Sequence, residues 1–565
     1  MSTTDIGERP AGDPPDPDDS DRAAPRADAR EVMAGIEAGI KATEAAQQHR
    51  PPRWWGVVVG LVAAGAGLAV GEVVAGFSSA LKSPIVSVGD RVIDHVPTWM
   101  KNFAIENFGT SDKIVLVWTI VVVIAVAAML VGIATVRGRT WVGIAFAAAF
   151  GAFGALCSGF GRNTELSGVF PSLIAATVAG GVLLWGHQLA QPRRPVVLSS
   201  ARRPVAAPPA RLDRRHFLMT TGALAVGAAC VAVIGRNMQD RFNSSLERAG
   251  VKPPVAKEPL PALPADPAAV AGNEGLSTLI TPVKRFYRID TALSFPSISL
   301  AAWELDITGM VDKPLRLSYD DIAGRDLIER DITISCVSNE VGADLVGNAR
   351  WIGCRLDTLL AEAGIQPGAD QVMGVSTDEF TAGFPVSLLD GRDAMIAIGM
   401  NGEPLPVKNG FPARIIVPGI YGYVSAVKWL KEIRLTTFAA EQGYWIPRGW
   451  SALGPIKTQS RIDRPGRNVS AGANHIAGIA WAPTRGISTV EVQVDDGEWQ
   501  TTTLGPVLSK DTWVQWWLQW DATPGKHQIR VRATDGDGDT QTEERTDVAP
   551  DGATGWHTIR VTVAG

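Results

Sequence analysis

Two of the four cysteines in this 565-residue chain, Cys157 and Cys230, lie inside long apolar runs, where a thiol is ordinary packing. Cys336 and Cys354 are the two that could do chemistry. Cys336 stands in a loop-like stretch, Ile334-Ser-Cys336-Val-Ser-Asn339, straight after an apolar strand pattern. Basic residues and glycines suited to an anionic cofactor accompany it in the same half of the chain. They are Arg288 in Phe286-Tyr-Arg-Ile-Asp290, Arg414 in Gly410-Phe-Pro-Ala-Arg414 and Lys428 in Ala426-Val-Lys-Trp-Leu430. An arginine fork binds phosphate bidentately, and Gly419 and Gly422 would let backbone approach a ligand closely. Taken singly, each of these residues is more often structural. A Ser/His/Asp hydrolase has little support, because only His475, His527 and His557 follow residue 236. No His/Cys cluster has zinc spacing. His187 is the lone histidine within a membrane-length run, which leaves no pair there to hold a haem.

The elements that must position these residues fall into blocks. Residues 1–50 carry eleven acidic and six basic side chains and almost no large apolar ones, a composition that cannot offset ordering entropy and predicts disorder. Apolar runs follow at about 54–77, 114–136, 140–160, 168–190 and 217–235. Each approaches or exceeds the ~20 residues that cross a hydrocarbon core, so residues 51–236 read as about five transmembrane helices. Residues 237–278 are Pro-rich and read as a semi-extended tether. From 279 to 440 short strands mix with helices: Trp303 to Gly309 alternates as a strand, Leu356 to Ala363 reads as a helix and Arg414 to Pro418 as a buried strand, an α+β pattern. From 465 to 565 only strands remain, as in a β-sandwich. The Asp535-Gly-Asp-Gly-Asp539 run lacks the spacing of a calcium loop and reads as a hairpin turn. Net charge is −5, which gives no basic footprint for nucleic acid.

Orientation follows from loop arginines. Arg137 and Arg139, and the seven arginines of 191–216, fall on one side of a five-span membrane region, so the N-terminus is expected in the cytoplasm and everything after residue 236 outside. Asp213-Arg214-Arg215-His216-Phe217-Leu218-Met219 before a Gly/Ala-rich apolar run resembles a twin-arginine export signal. With no small-x-small cleavage site after it, the segment is expected to stay as the fifth span.

Residues 280–440 resemble the molybdopterin-binding domain of the sulfite oxidase family. The resemblance is carried by the FYRID segment, Trp303 to Val311, a cysteine three residues before Asn339, Trp351-Ile-Gly-Cys-Arg-Leu and Met400-Asn-Gly-Glu-Pro-Leu-Pro. Gly410-Phe-Pro-Ala-Arg, Val417-Pro-Gly and Val427-Lys-Trp-Leu complete it. Residues from about 465 look like that family's Ig-like dimerisation domain, notably at Gly478-Ile-Ala-Trp481. The resemblance implies that Cys336 is the one protein thiolate on a mononuclear molybdenum whose other sulfurs come from the pterin. It further implies that Arg288, Arg414 and Lys428 hold the pterin and its phosphate, with Asn339, Asn409 and Asp378 beside them. A Cys336–Cys354 disulfide is the rival.

Three departures bear on substrate. Sulfite oxidases follow the cysteine with Ala-Gly-Asn-Arg-Arg, whereas this chain has Val337-Ser-Asn-Glu-Val341. Phe380 stands before Pro385 where those enzymes place a catalytic tyrosine, and Arg288-Ile-Asp290 replaces Arg-Asn-His. Both expectations for function therefore concern an exported, membrane-anchored protein. One is a molybdenum-cofactor oxidoreductase transferring an oxygen atom to or from a small molecule (sulfite oxidation, or S- or N-oxide reduction). The alternative is a non-catalytic module with a degenerate cofactor domain. A quinone or redox protein as electron partner and a homodimer through the C-terminal sandwich accompany the first.

Overall fold

The computed structural model describes Glu37 and residues 51–78, 81–97, 100, 103, 112–159, 166–191, 214–239, 244–269, 273–291, 295–296 and 298–565. The acidic N-terminal segment, Glu37 apart, and the arginine-rich stretch 192–213 lie outside them.

Six helices build the first region: α1 (Arg53–Ala75), α2 (Pro84–His95), α3 (Asp112–Val136), α4 (Thr140–Gly159), α5 (Phe170–Ala190) and α6 (Arg214–Gln239). All but α2 contribute helical segments long and apolar enough to cross a membrane, and their limits fall within a few residues of the apolar runs. Small residues let these helices approach. A Cβ on Gly60 would drive into the Ala128 carbonyl of α3, and one on Gly132 into the Gly56 carbonyl of α1. Phe217 of α6 stacks on Trp55 of α1 with ring centroids 4.0 Å apart. Helix α2 was not expected, because twelve residues are too few to span.

The expected tether is not a free linker. Within it α7 (Ser244–Gly250) sets Arg248 to donate to the Pro404 and Leu405 carbonyls at 3.0 and 2.9 Å. Further on, the Lys257 N–H donates to Leu327 O at 2.9 Å. The segment is bound along the next domain because its backbone groups find partners there.

That domain comprises β1 (Glu304–Gly309), β2 (Leu315–Ser318), α8 (Tyr319–Ala323), β3 (Leu327–Ser335), β4 (Val346–Arg355), α9 (Leu356–Ala363), β5 (Gln371–Ser376), β6 (Thr381–Pro385), β7 (Met395–Met400), β8 (Glu403–Pro404), β9 (Arg414–Ile416), α10 (Gly422–Ser425) and β10 (Leu430–Thr436). One sheet runs β2-β1-β10-β5-β6, with β1 parallel to β10; the other runs β3-β4-β7-β8, with β9 on β7. Every residue of β5 and β7 is buried, which explains why β7 and the middle of β5 are apolar on both faces rather than alternating. At the bulge opposite β7, Gly353 lies so close to the Ile396 carbonyl that no side chain fits. Helix α8 starts with a capping box in which Ser318 and Asp321 satisfy each other's backbone N–H.

The last region is β11 (Gln459–Arg464), β12 (Asn468–Ser470), β13 (Gly472–Trp481), β14 (Ile487–Val494), β15 (Gln500–Thr501), β16 (Thr503–Leu504), β17 (Val514–Ala522), β18 (Gly525–Asp535) and β19 (His557–Ala564). Two sheets, β11-β13-β17-β16 and β12-β19-β18-β14-β15, share one core that includes Ile476, Trp516, Val490, Val531 and Val561. The aspartate run after β18 is a turn: Asp535 accepts the N–H groups of Asp537 and Asp539 at 3.1 and 3.0 Å. No group of three or more metal-ligating side chains occurs among the described residues.

Candidate functional site

Strand β3 ends at Ser335, and Cys336 opens a short loop closed on itself by hydrogen bonds. The Cys336 N–H donates to Leu345 O at 2.9 Å, and Asn339 N–H donates to Cys336 O at 3.1 Å. The Asn339 side chain then accepts the Leu345 N–H at 2.7 Å. The Cys336 thiol is 8% exposed, with the Ser338 N–H 3.4 Å from its sulfur. Burial pushes this thiol above its ordinary range, so it stays protonated in neutral water unless a cation takes the proton's place. All four cysteines are free. Cys354 pairs with Leu327 at the far end of β3, about 25–30 Å from Cys336 at the rise of a strand, which excludes the disulfide.

Two tyrosines feel the Cys336 charge, and Arg414, which the sequence had singled out, interacts with one of them. The Tyr287 hydroxyl is pushed upward by burial first and then by the Cys336 charge, with Arg414 opposing. Tyr421 is pushed up to about 12, again mainly by burial, with Cys336 contributing. Arg414 is 4% exposed and burial pulls it down to about 10. One terminal nitrogen of Arg414 donates to Asn409 O at 3.0 Å, and its guanidinium lies over Trp351, 5.1 Å from the ring centre. Among the described residues its Nε has no partner, and neither has the buried Asn409 Oδ1. Between them Gly410 sits at φ 116°, where a Cβ would meet the Cβ atoms of Arg414 and Lys428 at 3.1 Å. A buried cation with an unfilled donor is costly unless an anion comes to it.

Lys428 and Arg288 converge on one buried carboxylate. Lys428 Nζ is ion-paired with Asp290 and donates to Ile289 O at 3.0 Å. Arg288 Nε lies 3.1 Å from Asp290 and its guanidinium 4.9 Å over Phe295. Asp378 accepts the Phe380 N–H at 3.2 Å in the β5–β6 turn, which is tied to the same corner by Thr377 N–H donating to Trp429 O at 2.8 Å. The structure thus gathers Cys336, Tyr287, Arg414 and Tyr421 into one group. Lys428, Arg288 and Asp290 form a second, joined to the first at Gly410. Asn339 braces the cysteine loop, and Asp378 shapes a turn beside Trp429.

A family model described as "oxidoreductase molybdopterin binding domain" matches residues 292–445. The uncharacterized oxidoreductase YuiH of Bacillus subtilis is 30% identical over 155 residues, covering 27% of this chain and 75% of its own length. The chain belongs to the sulfite oxidase family of molybdopterin-dependent oxidoreductases. It is accordingly an oxidoreductase, and its cofactor is molybdenum-molybdopterin. Mitochondrial sulfite oxidase of Macaca fascicularis is 27% identical over 45% of this chain and 55% of that protein. NADH nitrate reductase 1 of Oryza sativa is 27% identical over 54% and 39% respectively. The chain therefore spans about half the length of these curated relatives or less. Sulfane dehydrogenase SoxCD of Paracoccus pantotrophus shares 22% identity over 50% of this chain and 81% of that one, with a TM-score of 0.45.

The residues present fit this cofactor. A family member needs a thiol that gives up its proton only to a metal, and a fixed cation facing an anion. Cys336 and Arg414 meet those two requirements, with Tyr287 interacting with both. Tyr287, inside the quoted FYRID segment, and Tyr421, between the named Gly419 and Gly422, were not singled out from the sequence. Their only local signal was aromatic polar residues beside Arg288 and between glycines.

Proposed function

We propose that Cys336 is the thiolate ligand of the molybdenum and that Arg414, Asn409, Lys428 and Arg288 hold the pterin and its phosphate. Asn339 and Asp378 then act through the backbone they fix. The observation that carries this reading is the pair of unpartnered buried polar atoms, Arg414 Nε and Asn409 Oδ1, next to a thiol held protonated by burial. The bound cofactor supplies two-electron oxygen-atom transfer. This chain's own part is to shelter and polarise. Tyr287 and Tyr421, both kept protonated at neutral pH by burial, would be able to donate hydrogen bonds to a substrate oxygen, and such bonds are stronger where water is excluded.

The substrate class that fits best is an uncharged S- or N-oxide. Of the three cations, Lys428 and Arg288 face Asp290, and the cysteine loop adds Glu340 rather than arginines. A dianion such as sulfite would meet little uncompensated positive charge. We place the catalytic region on the extracytoplasmic side, held by five membrane spans, with residues 214–218 at the entrance of α6 as a twin-arginine export signal. The loop arginines support this orientation. The C-terminal pair of sheets is read as the Ig-like domain, a surface for a homodimer.

Elemental analysis of protein purified from cells competent to make the cofactor tests the assignment. About one molybdenum per chain is expected in the wild type and near none in Cys336→Ala. Metal-free wild-type protein would sink it. Stopped-flow reoxidation of the reduced enzyme by dimethyl sulfoxide, against reduction of the oxidised enzyme by sulfite, separates the two chemistries.

A further inference from the structure

The membrane region contains a feature that the thiolate site does not use. A partly open cavity of about 70 Å³ lies among α1 to α5, room for about five waters by that measure and so roughly the bulk of one substituted six-membered ring. Ala64, Gly67, Ile85, Ile124, Phe150 and Ala176 are typical of its wall, and Ser172 is the one polar side chain in it. Ser172 is 3% exposed and its hydroxyl has no partner. Two other buried hydroxyls in the bundle are spent on the preceding turn: Ser158 donates to Gly154 O at 2.9 Å and Thr135 to Val131 O at 2.8 Å, while Ser87 of α2, which does not line the cavity, is likewise unpartnered among the described residues.

The occupant must therefore be apolar over nearly all its surface and carry one hydrogen-bond acceptor. Water does not fit, because it needs two to four polar partners and the wall offers one hydroxyl. A phospholipid acyl chain fits the wall but leaves the hydroxyl unanswered. A quinone satisfies both, with a carbonyl oxygen for Ser172 and an apolar ring and tail for the rest.

The chemistry at the cavity's edge agrees. Pro84 lines it, and the preceding Ser83 donates a hydrogen bond to Glu72 of α1. A carboxylate inside a span is expensive and usually functional; Glu72 does not line the cavity but is tied through Ser83 to the end that Pro84 lines. Gly235, near the end of α6, packs so tightly on the Glu72–Val73 backbone that a Cβ would meet Val73 N at 2.6 Å. The polar end of the cavity thus lies at the end of the helix that leads into the catalytic domain.

We propose that this cavity binds the ring of a membrane quinone, with Ser172 donating to a ring oxygen, Glu72 exchanging protons and the isoprenoid tail leaving into lipid. The proposal rests on the oxide-reducing reading above. In each turnover the quinol loses two electrons and two protons, the S–O or N–O bond breaks and the oxygen leaves as water. Oxide plus quinol give reduced product plus quinone plus water.

The test uses the full-length holoprotein in phosphatidylcholine nanodiscs titrated with decylubiquinone. Saturable binding of one quinone per chain is expected, roughly tenfold weaker in Ser172→Ala, the loss of one hydrogen bond, and absent in Ala64→Phe, where the ring space is filled. Equal binding by wild type and Ser172→Ala would overturn the proposal even if Ala64→Phe fails to fold. So would a tightly held phospholipid that decylubiquinone does not displace. Molybdenum content and oxide reduction driven by a reduced viologen dye, measured on the same wild-type preparation, report separately on the enzyme reading.

Discussion

Two arginines at the edges of their domain cores show what separates scaffold from site. In the C-terminal sheets Arg485 faces Asp535 at 2.8 Å and also donates to Thr458 and to the Ile456 carbonyl, both at 3.1 Å. Thr458 donates to Asp535 in turn, and these bonds hold the carboxyl below its usual range. In the molybdopterin-binding domain Arg414 is more deeply buried and, among the described residues, faces no carboxylate and keeps Nε unfilled. The first arginine is complete in the protein alone. The second is complete only with something else in place, and that incompleteness marks the site better than charge or burial does.

The comparison can be broken by substitution, beginning with the largest effect. Arg485→Met leaves Asp535 as an uncompensated buried charge and should cost about 3 kcal/mol or more, read from urea unfolding, with molybdenum content per folded chain unchanged. His557 gives the next effect. Burial first, then Arg461, pulls its imidazole down to about 4. Its folded-state value is below the unfolded one, so its contribution is present above the unfolded value and is lost as pH falls from about 6.5 to about 4, up to about 3 kcal/mol. Unfolding midpoints at pH 7, 5.5 and 4.5 should fall accordingly, and His557→Gln should flatten that part of the profile. Ser318→Ala removes a cap and should cost about 1 kcal/mol, measured by thermal melting, without touching cofactor content. Arg414→Met sharpens the contrast most at the smallest stability cost: cofactor-free protein should change by less than about 1 kcal/mol or gain stability, while molybdenum retention collapses. A loss of several kcal/mol in cofactor-free protein would show that Arg414 is as structural as Arg485.

The five helices long and apolar enough to cross a membrane were legible as long apolar runs, and the family residues were legible because they are local motifs. Cys336 and Arg414 stood out for that reason. Three things were not legible. Helix α2 is short and mixes Asp90 and Arg91 with apolar residues, so neither length nor hydropathy announced it. The Pro-rich segment after α6 looked like a tether because its partners, such as the Leu327 carbonyl, lie on distant strands. The meeting of Asp290 with Lys428 joins residues far apart in sequence, and it turned two expected cofactor-binding cations into a group that is partly self-neutralised.

The loop after Cys336 also carries a consequence for biosynthesis. Arg461 donates to the Ala343 carbonyl at 2.8 Å. The His557 ring packs where any side chain on Gly342 would be. At Gly552, held at φ 100°, an added Cβ would sit 2.5 Å from the Tyr421 hydroxyl. The walls of the cysteine site are thus finished by residues translated long after Cys336 itself. That flank of the pocket therefore depends on the C-terminal sheets being folded against it. Folding of the C-terminal sheets, rather than a moving lid, would then decide when that flank of the cysteine site closes.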